Sequence, residues 1–291
     1  MPSTRDIRRR IKSVKNTAQI TKAMQMVASS KMRKAQLAAL AGRPYATLMN
    51  SVLANVAADA VDFTHPLMAK REGGKHCVVL VSTDKGLCGA LNSNLTREAL
   101  KFDKDTTIFV CAGKKGAQFV ARNKRNLAAE FTYKDAPLFA EARAISKFVQ
   151  ELFTKGEVDS VEVLYTNFIS TLVQKPESQP LLPIGELKGV QAGVPHGNAP
   201  ALETSGLEFQ FEPGADQVLG ALLPHALNFQ IYQILLEAKA SEQSSRMVAM
   251  KNATDNAKQL IKDLTLEYNK LRQANITKEL LEITTAQMAL G

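Results

Sequence analysis

The residues of this 291-residue chain that could do chemistry lie mainly in one glycine-containing loop. Residues 86–89 (GLCG) follow an apolar run, the position at which a glycine-rich turn can cradle a phosphate. The loop matches neither GxGxxG nor GxxxxGK(S/T), and no acidic residue is placed to bind a ribose. Cys88 could act as a nucleophile only beside a base, and the sequence identifies none. Phosphate binding and catalysis are therefore weakly supported here.

The three cysteines and the four histidines lack the spacing of a metal site. Cys77, Cys88 and Cys111 form no CxxC pair and are too few for a disulfide framework, which indicates a reducing compartment. His76 stands beside an apolar run and is more simply a core residue. We predict no metal and no cofactor.

The positive charge is concentrated at the N-terminus. The chain has a net charge of +9, and residues 1–50 carry eleven Lys or Arg and a single acid, Asp6. The other 241 residues carry 26 bases and 27 acids. This block requires an acidic or polyanionic partner, and nucleic acid, anionic lipid and an acidic protein loop are all open at this point.

Composition indicates a folded protein, with 45% hydrophobic and 22% charged residues. We find no apolar run of membrane-spanning length and no secretory signal, so we expect a soluble or peripherally bound protein. The first residues are basic, as in a transit peptide. The helical pattern begins by Ile7, however, and we interpret these residues as mature sequence.

Glycine and proline divide the chain into three regions. Neither residue type occurs at residues 3–41 or 225–290, and Gly42 and Pro44 end the first of these stretches. The second stretch would extend for about 100 Å as one helix, far longer than an ordinary globular helix. We therefore favour a coiled coil; the alternative is two amphipathic helices packed on a globular body.

The apolar spacing predicts an irregular seam for this coiled coil. In the first helix the seam begins with Ile7, Ile11, Val14 and Ala18, and then shifts to Ile20, Met24 and Val27. In the last helix it comprises Ala257, Ile261, Leu264, Tyr268 and Leu271, followed by a shifted stripe of Ile276, Leu280, Ile283, Gln287 and Leu290.

Two segments of the last helix stand out. Residues 241–246 are polar or small, so we expect the weakest packing there. No charge follows Glu282, so the tip is either an interaction surface or a frayed terminus. Because the last helix is longer than its antiparallel partner, its final turns should extend beyond that partner.

The middle region alternates strands and helices, which predicts a doubly wound, Rossmann-like α/β domain. We expect strands at residues 77–82, 106–111, 128–132, 158–165 and 170–174, the last pairing with 180–184, and helices at about 92–104, 114–123 and 138–154. The predicted fold class is thus α/β, with a long antiparallel coiled coil of the terminal helices. The predicted domains are 1–65, 66–214 with a loop-rich link at 185–214, and 215–291.

Three segments together resemble the gamma subunit family of the rotary F-type ATP synthase. They are residues 20–31 (ITKAMQMVASSK), residues 83–92 (TDKGLCGALN) and residues 240–277 of the last helix. The resemblance covers nearly the whole chain. It implies a central shaft, itself not catalytic, whose rotation couples proton flow through the membrane ring to ATP synthesis or hydrolysis at beta-subunit sites.

The resemblance also implies partners and contact residues. The partners are the alpha and beta subunits of the surrounding hexamer, the epsilon subunit and the ring of c subunits, with the membrane contacted only through the ring. Met24 matches the position beside an acidic beta-subunit loop, and Arg272 and Gln273 match positions that hydrogen-bond a beta-subunit loop. Further expected partner contacts are Lys22, Lys31, Arg33 and Thr277. The expected α/β-domain motif comprises Asp84, Lys85, Gly86, Cys88, Gly89 and Asn92.

Some features depart from the family pattern. Residues 185–214 match no family pattern, Thr284 and Thr285 stand where Gly or Ala is common, and the cysteine-bearing insertion of the chloroplast form is missing. We expect a bacterial protein on the cytoplasmic side of the inner membrane. Two other classes remain as alternatives: a nucleic-acid-binding coiled coil and a Rossmann-type enzyme with helical arms.

Overall fold

The computed structural model describes residues 3–59, 65–71, 73–184 and 214–290. The chain divides into two compact units. One unit is Ser29–Arg246, and the other combines Met1–Ala28 with Met247–Gly291. The predicted link at 185–214 lies outside the described residues, apart from its last residue.

Two long helices begin and end the described chain. Helix α1 is Thr4–Asp59 and helix α5 is Ala215–Leu290, and each contains a proline, Pro44 and Pro224. A proline removes one helical hydrogen bond, so tertiary packing must support both helices at these positions. Gly42 shows how close that packing is, because a Cβ there would lie 1.9 Å from Nε2 of Gln233.

One stretch of α5 is long and apolar enough, by length and composition alone, to cross a membrane. We expected no such stretch. Because 56% of it is buried within the fold, the apolar character fits a helix that packs in a protein core.

The chain between the two long helices forms a five-stranded sheet with the strand order β3-β2-β1-β4-β5. Its strands are β1 His76–Val81, β2 Thr107–Ala112, β3 Asn126–Phe131, β4 Ser160–Phe168 and β5 Gln174–Leu182. The first four are parallel and β5 is antiparallel to β4. The connecting helices are α2 Leu91–Ala99, α3 Lys114–Arg122 and α4 Phe139–Thr154, and a short 3-10 turn, Pro66–Met68, precedes β1.

Alternate side chains of the central strand β1 enter two different cores. Val78 and Leu80 pack with Leu95 of α2 and Val120 of α3. The intervening residues of β1 pack with α4 and α5 on the other face. Both faces are therefore covered, which confirms the doubly wound prediction and explains why β1 is a continuous apolar run.

The prediction of a strand at residues 170–174 is wrong. Ser170 and Val173 exchange backbone hydrogen bonds of 3.0 and 3.2 Å, which closes a turn between β4 and β5. The single strand β5 follows, and it includes Pro176 and Pro180. An edge strand tolerates proline because one side of its backbone needs no partner.

In the unit formed by the chain ends, α1 keeps one regular seam. Ile7 and Ala28 are buried, and Ile11, Val14 and Ala18 are half-buried. The predicted shift to Ile20 and Val27 is wrong, because these side chains are 61% and 54% exposed. Small and polar residues continue the seam instead: the Thr21 and Thr254 hydroxyl oxygens lie 2.8 Å apart.

The predicted stripe on α5 from Ala257 to Leu271 is confirmed, since each of its residues is buried or half-buried. Inward residues extend from Thr21 back to Thr4 on α1, and equally far from Thr254 forward to Leu271 on α5. The two segments therefore pair antiparallel. Every described side chain from residue 272 to residue 288 is exposed, as expected for a helix that extends beyond its partner.

Candidate functional site

The predicted motif lies at the carboxyl edge of the sheet. Residues 82–90 connect β1 to α2, and the order of strands reverses between β1 and β4. In doubly wound sheets this crevice is the usual place for a ligand. The geometry of the loop therefore decides whether this domain can bind a nucleotide.

Side chains of the motif hold the loop in one conformation. The Asn92 amide donates to Thr83 Oγ1 at 2.8 Å and to Cys88 Sγ at 3.4 Å, and the Thr83 hydroxyl donates to the Lys85 carbonyl at 2.8 Å. Asp84 Oδ1 accepts from the backbone N–H of Lys114 at 3.0 Å, which links the loop to α3. The motif is thus a structural unit.

Helix α5 hydrogen-bonds this loop. The Arg246 guanidinium donates to the carbonyl oxygens of Lys85 and Gly86 at 3.2 Å each, and the Ser245 hydroxyl donates to the Cys88 carbonyl at 2.7 Å. A phosphate cradle must aim N–H groups at its ligand. This loop aims three carbonyl oxygens at α5 instead, which is the wrong polarity for a phosphate.

The cysteines are also unsuited to chemistry. All three are buried and free. Burial raises the pKa of the Cys88 thiol, and the nearby Arg246 offsets this only in part. Burial raises the pKa of Cys77 and of Cys111 to about 12. None is poised as a thiolate nucleophile, and the described residues contain no group of three His, Cys, Asp or Glu able to hold a metal ion.

Three charged residues form a buried network on one face of α5. Lys239 Nζ lies 2.9 Å from Glu242 Oε2, and Arg246 Nη1 lies 2.7 Å from Glu242 Oε1. The side chains of Lys239 and Glu242 are each 4% exposed. The prediction of weakest packing at residues 241–246 is therefore wrong: this segment is buried or half-buried, and Ser244, Ser245 and Arg246 donate hydrogen bonds to the sheet domain.

Asp135, in the loop between β3 and α4, extends the network to the other long helix. Its Oδ2 lies 2.5 Å from Lys31 Nζ of α1, and its Oδ1 lies 3.4 Å from Lys239 Nζ of α5. The hydrogen bond from Lys31 is the main reason that the pKa of Asp135 is lowered. The ring of Tyr133 lies 5.1 Å from Lys239 Nζ.

Sequence reasoning missed Asp135, Lys239, Glu242 and Arg246. One signal was available, because residues 239, 242 and 246 follow the spacing of a single helix face within a long breaker-free run. Charged residues at that spacing are usually solvated, so the sequence alone gives no reason to place them in a core.

The predicted partner contacts fall into two groups. Lys31 is engaged within the chain by Asp135, while Arg33 is exposed in the same unit. In the unit of chain ends, Met24 is half-buried and Lys22 is exposed, with its ammonium 3.2 Å from Gln25 Oε1. Arg272, Gln273 and Thr277 are exposed, and the Thr277 hydroxyl donates to the Gln273 carbonyl at 3.0 Å.

The class that this fold and site define is an α/β domain inserted between two long helices, one of which hydrogen-bonds the loop at the crevice of the sheet. The model of the ATP synthase family matches residues 3–290. The ATP synthase gamma chain of Opitutus terrae is 50% identical over 292 residues, covering 99% of both chains. That of Methylacidiphilum infernorum is 47% identical over 296 residues, covering 100% of both. This chain belongs to the ATP synthase gamma chain family.

Solved structures agree with this assignment. A chain of the Tetrahymena thermophila mitochondrial ATP synthase, from its central stalk and c-ring structure, has a TM-score of 0.59 and 26% identity, covering 80% of this chain and 99% of that one. A chain of the Euglena gracilis mitochondrial ATP synthase has a TM-score of 0.68, covering 99% of this chain and 94% of that one. At 19% identity, the second likeness shows the fold alone.

Proposed function

We propose that this chain is the central rotor shaft of an F-type ATP synthase. Its rotation couples proton flow through the membrane ring to ATP synthesis or hydrolysis at sites on the beta subunits. The chain itself makes and breaks no covalent bond. The loop carbonyl groups bonded to α5 and the buried cysteines support this non-catalytic role.

The single observation that carries the proposal is the exposed end of α5. From residue 272 to residue 288 every described side chain is exposed, including five large apolar ones. These are Ile276, Leu280, Leu281, Ile283 and Met288. An exposed apolar helix requires cover in the working protein. A surrounding hexamer of alpha and beta subunits provides such a sleeve, and the uncharged tip after Glu282 avoids fixed ion pairs as the helix turns.

Other surfaces of the chain provide the remaining partner contacts. Arg272 and Gln273 offer donors to a beta-subunit loop, with Thr277 one turn further along. Met24 faces an acidic beta-subunit loop, and Lys22 and Arg33 are further partner contacts. The epsilon subunit and the c-ring bind the α/β domain, so the chain contacts the bacterial inner membrane only through the ring, on its cytoplasmic side.

The mechanism follows from the asymmetry of the shaft. A pair of helices that ends as one helix presents different side chains in different directions. Each beta subunit therefore meets a different surface, and the surface that it meets selects one of its conformations. Rotation moves each surface to the next beta subunit and so changes which conformation is populated at each site.

Purification of the tagged chain from its native membranes tests the proposal. We expect alpha, beta and epsilon subunits in fixed stoichiometry and ATPase activity in the complex. Substitutions Arg272→Ala and Gln273→Ala should lower ATP synthesis without unfolding the chain, because both side chains are exposed. Recovery of the chain alone, or with nucleic acid, would contradict the rotor assignment.

A further inference from the structure

The carboxylate of Asp135 contacts both long helices at once. One oxygen lies 2.5 Å from Lys31 Nζ on α1, and the other lies 3.4 Å from Lys239 Nζ on α5. Asp135 itself belongs to the α/β domain, in the loop between β3 and α4. Three parts of the unit formed by residues 29–246 therefore meet at one side chain.

The loop that carries Asp135 is fixed on both sides of this residue. The Tyr133 hydroxyl donates to the Ser82 carbonyl at 3.0 Å, at the end of β1. The backbone N–H groups of Lys134 and Leu138 donate to the Glu141 carboxylate at 3.3 and 2.9 Å, at the start of α4. The aspartate is therefore attached to the sheet and to α4 rather than carried on a free loop.

The contact on α5 is equally well fixed. Lys239 is almost completely buried, with Glu242 Oε2 at 2.9 Å in addition to Asp135. Burial of an ammonium group is costly unless carboxylates pair with it, so the two carboxylates restrict Lys239 to this position. Movement of α5 against the α/β domain would separate Lys239 from Asp135.

The other contacts between α1 and α5 in this unit differ in kind. Met49 and Leu53 of α1 pack with Leu219 and Leu223 of α5, and apolar packing excludes water without fixing direction. Tyr45 Oη lies 2.8 Å from His225 Nε2, but this bond joins the helices to each other and not to the sheet. Asp135 adds a directional contact that includes the α/β domain.

We propose that Asp135 is a positioning residue that makes both long helices turn with the α/β domain. The inference rests on the proposed rotor function. A torque applied to the α/β domain reaches α1 through Lys31 and α5 through Lys239. Without the carboxylate, α1 loses the Lys31 ion pair to the domain, and α5 loses the Lys239 pair while it keeps the hydrogen bonds of Ser245 and Arg246. Part of each rotation is then lost as slippage.

The test is the number of protons pumped per ATP hydrolysed by the complete ATP synthase in inverted membrane vesicles, at equal amounts of assembled complex. We expect Asp135→Ala to lower this ratio about two- to fivefold, the bias that a partly exposed ion pair supplies. Asp135→Glu should restore most of it. If the alanine variant does not assemble, the ratio is measured in Asp135→Asn, which keeps the size of the side chain and removes its charge and one acceptor oxygen.

A double-mutant cycle separates this role from direct binding of Lys31 to a partner subunit. If Lys31 acts through Asp135, Lys31→Gln combined with Asp135→Asn should lower the ratio no further than Asp135→Asn alone, because that change already removes the Lys31 contact. Additive losses would show that Lys31 acts elsewhere. Glu98→Gln is the matched control, because Glu98 forms an exposed pair with Lys101 on the same unit.

Two failures are distinguishable. An unchanged ratio in Asp135→Ala and Asp135→Asn, with only lower thermal stability, would overturn the positioning role and leave the rotor assignment intact. If the wild-type complex hydrolyses ATP but pumps no protons, the proposed function itself fails.

Discussion

At the scale of single residues, the charges on α5 are held by one another. Glu242 forms ion pairs with both Lys239 and Arg246, and Arg246 also donates to the loop after β1. A buried ion pair contributes little net stability, but removal of one partner leaves an uncompensated charge. Glu242 is the shared partner, so it is the most sensitive member of the network.

Glu242→Gln should lower the free energy of unfolding of the isolated chain by about 3 kcal/mol, because it leaves Arg246 without its carboxylate in a buried site. Denaturant unfolding measures this change. The matched substitution Glu98→Gln, in an exposed pair, should cost less than about 1 kcal/mol. Equal losses in the two variants would show that the α5 network is not effectively buried.

We expect the contribution of Asp135 to the stability of the fold to depend on pH. Its pKa is lowered in the folded chain, chiefly by the Lys31 hydrogen bond, so its contribution to stability is full above the unfolded-state pKa. The contribution disappears as pH falls through the lower, folded-state pKa. The side chain is 49% exposed, which limits the effect to less than about 1 kcal/mol.

Stability should therefore differ between wild type and Asp135→Asn at pH 5 to 7 and converge below about pH 4. Thermal unfolding of the full chain across this range measures the difference. A difference that grows as the pH falls would contradict the assigned ion pair.

At the scale of elements, glycine determines how closely the turn after β2 approaches β1. Gly113 has φ +110°, and a Cβ there would lie 2.3 Å from the Ser82 carbonyl oxygen. Both conditions exclude a side chain, since the φ is unfavourable and the contact is with backbone. Gly86, in the loop after β1, has nothing within 4 Å of such a Cβ.

Gly113→Ala should lower the free energy of unfolding by about 2–4 kcal/mol, combining backbone strain with a clash that the sheet must relieve. Gly86→Ala should change it by less than about 1 kcal/mol. Denaturant titration of both variants gives the comparison. Similar values for the two would argue against a close approach at Gly113.

The sequence correctly predicts those elements in which the local residue pattern matches the burial of the side chains in the fold. The apolar, β-branched strands β1 and β2 and the helices between the strands are predicted correctly, because local pattern and burial coincide. Strand β5 is predicted only at its end, within residues 180–184, because Pro176 argues against a strand unless its edge position is known. The seam near Ile20 is missed because periodicity favours large apolar residues, whereas α1 packs through Ala18, Thr21 and Ala28.

The candidate site is likewise predictable from the sequence only in part. The motif around Asp84 and Asn92 is recognisable from sequence, but its role in supporting the loop depends on Lys114 and Arg246, which are distant along the chain. Asp135, Lys31 and Lys239 form a cluster only after folding. A single sequence carries no signal that these three surface-type residues meet.

At the scale of the whole molecule, the exposed end of α5 is the surface that most needs cover by a partner. The double substitution Ile283→Lys and Met288→Lys should leave the free energy of unfolding of the isolated chain within about 0.5 kcal/mol of wild type, because both side chains are exposed. The same double substitution should reduce ATP synthesis by the assembled complex, because charge would enter an apolar sleeve.

Thr284→Ser is the control for that experiment, since it changes an exposed side chain of the same segment without adding charge. Parallel assays of unfolding and of ATP synthesis separate the two effects. Full synthesis by the double-lysine complex would show that the helix end needs no apolar cover.

The most direct test of the rotor account is observation of rotation. All three native cysteines are buried, so a thiol introduced by Gln118→Cys on the exposed side of α3 can carry a bead selectively. The chain is assembled with its alpha and beta subunits, and the hexamer is fixed to a surface. We predict stepwise rotation of the bead in one direction when ATP is added. ATP hydrolysis by the same complexes with a stationary bead would contradict the account.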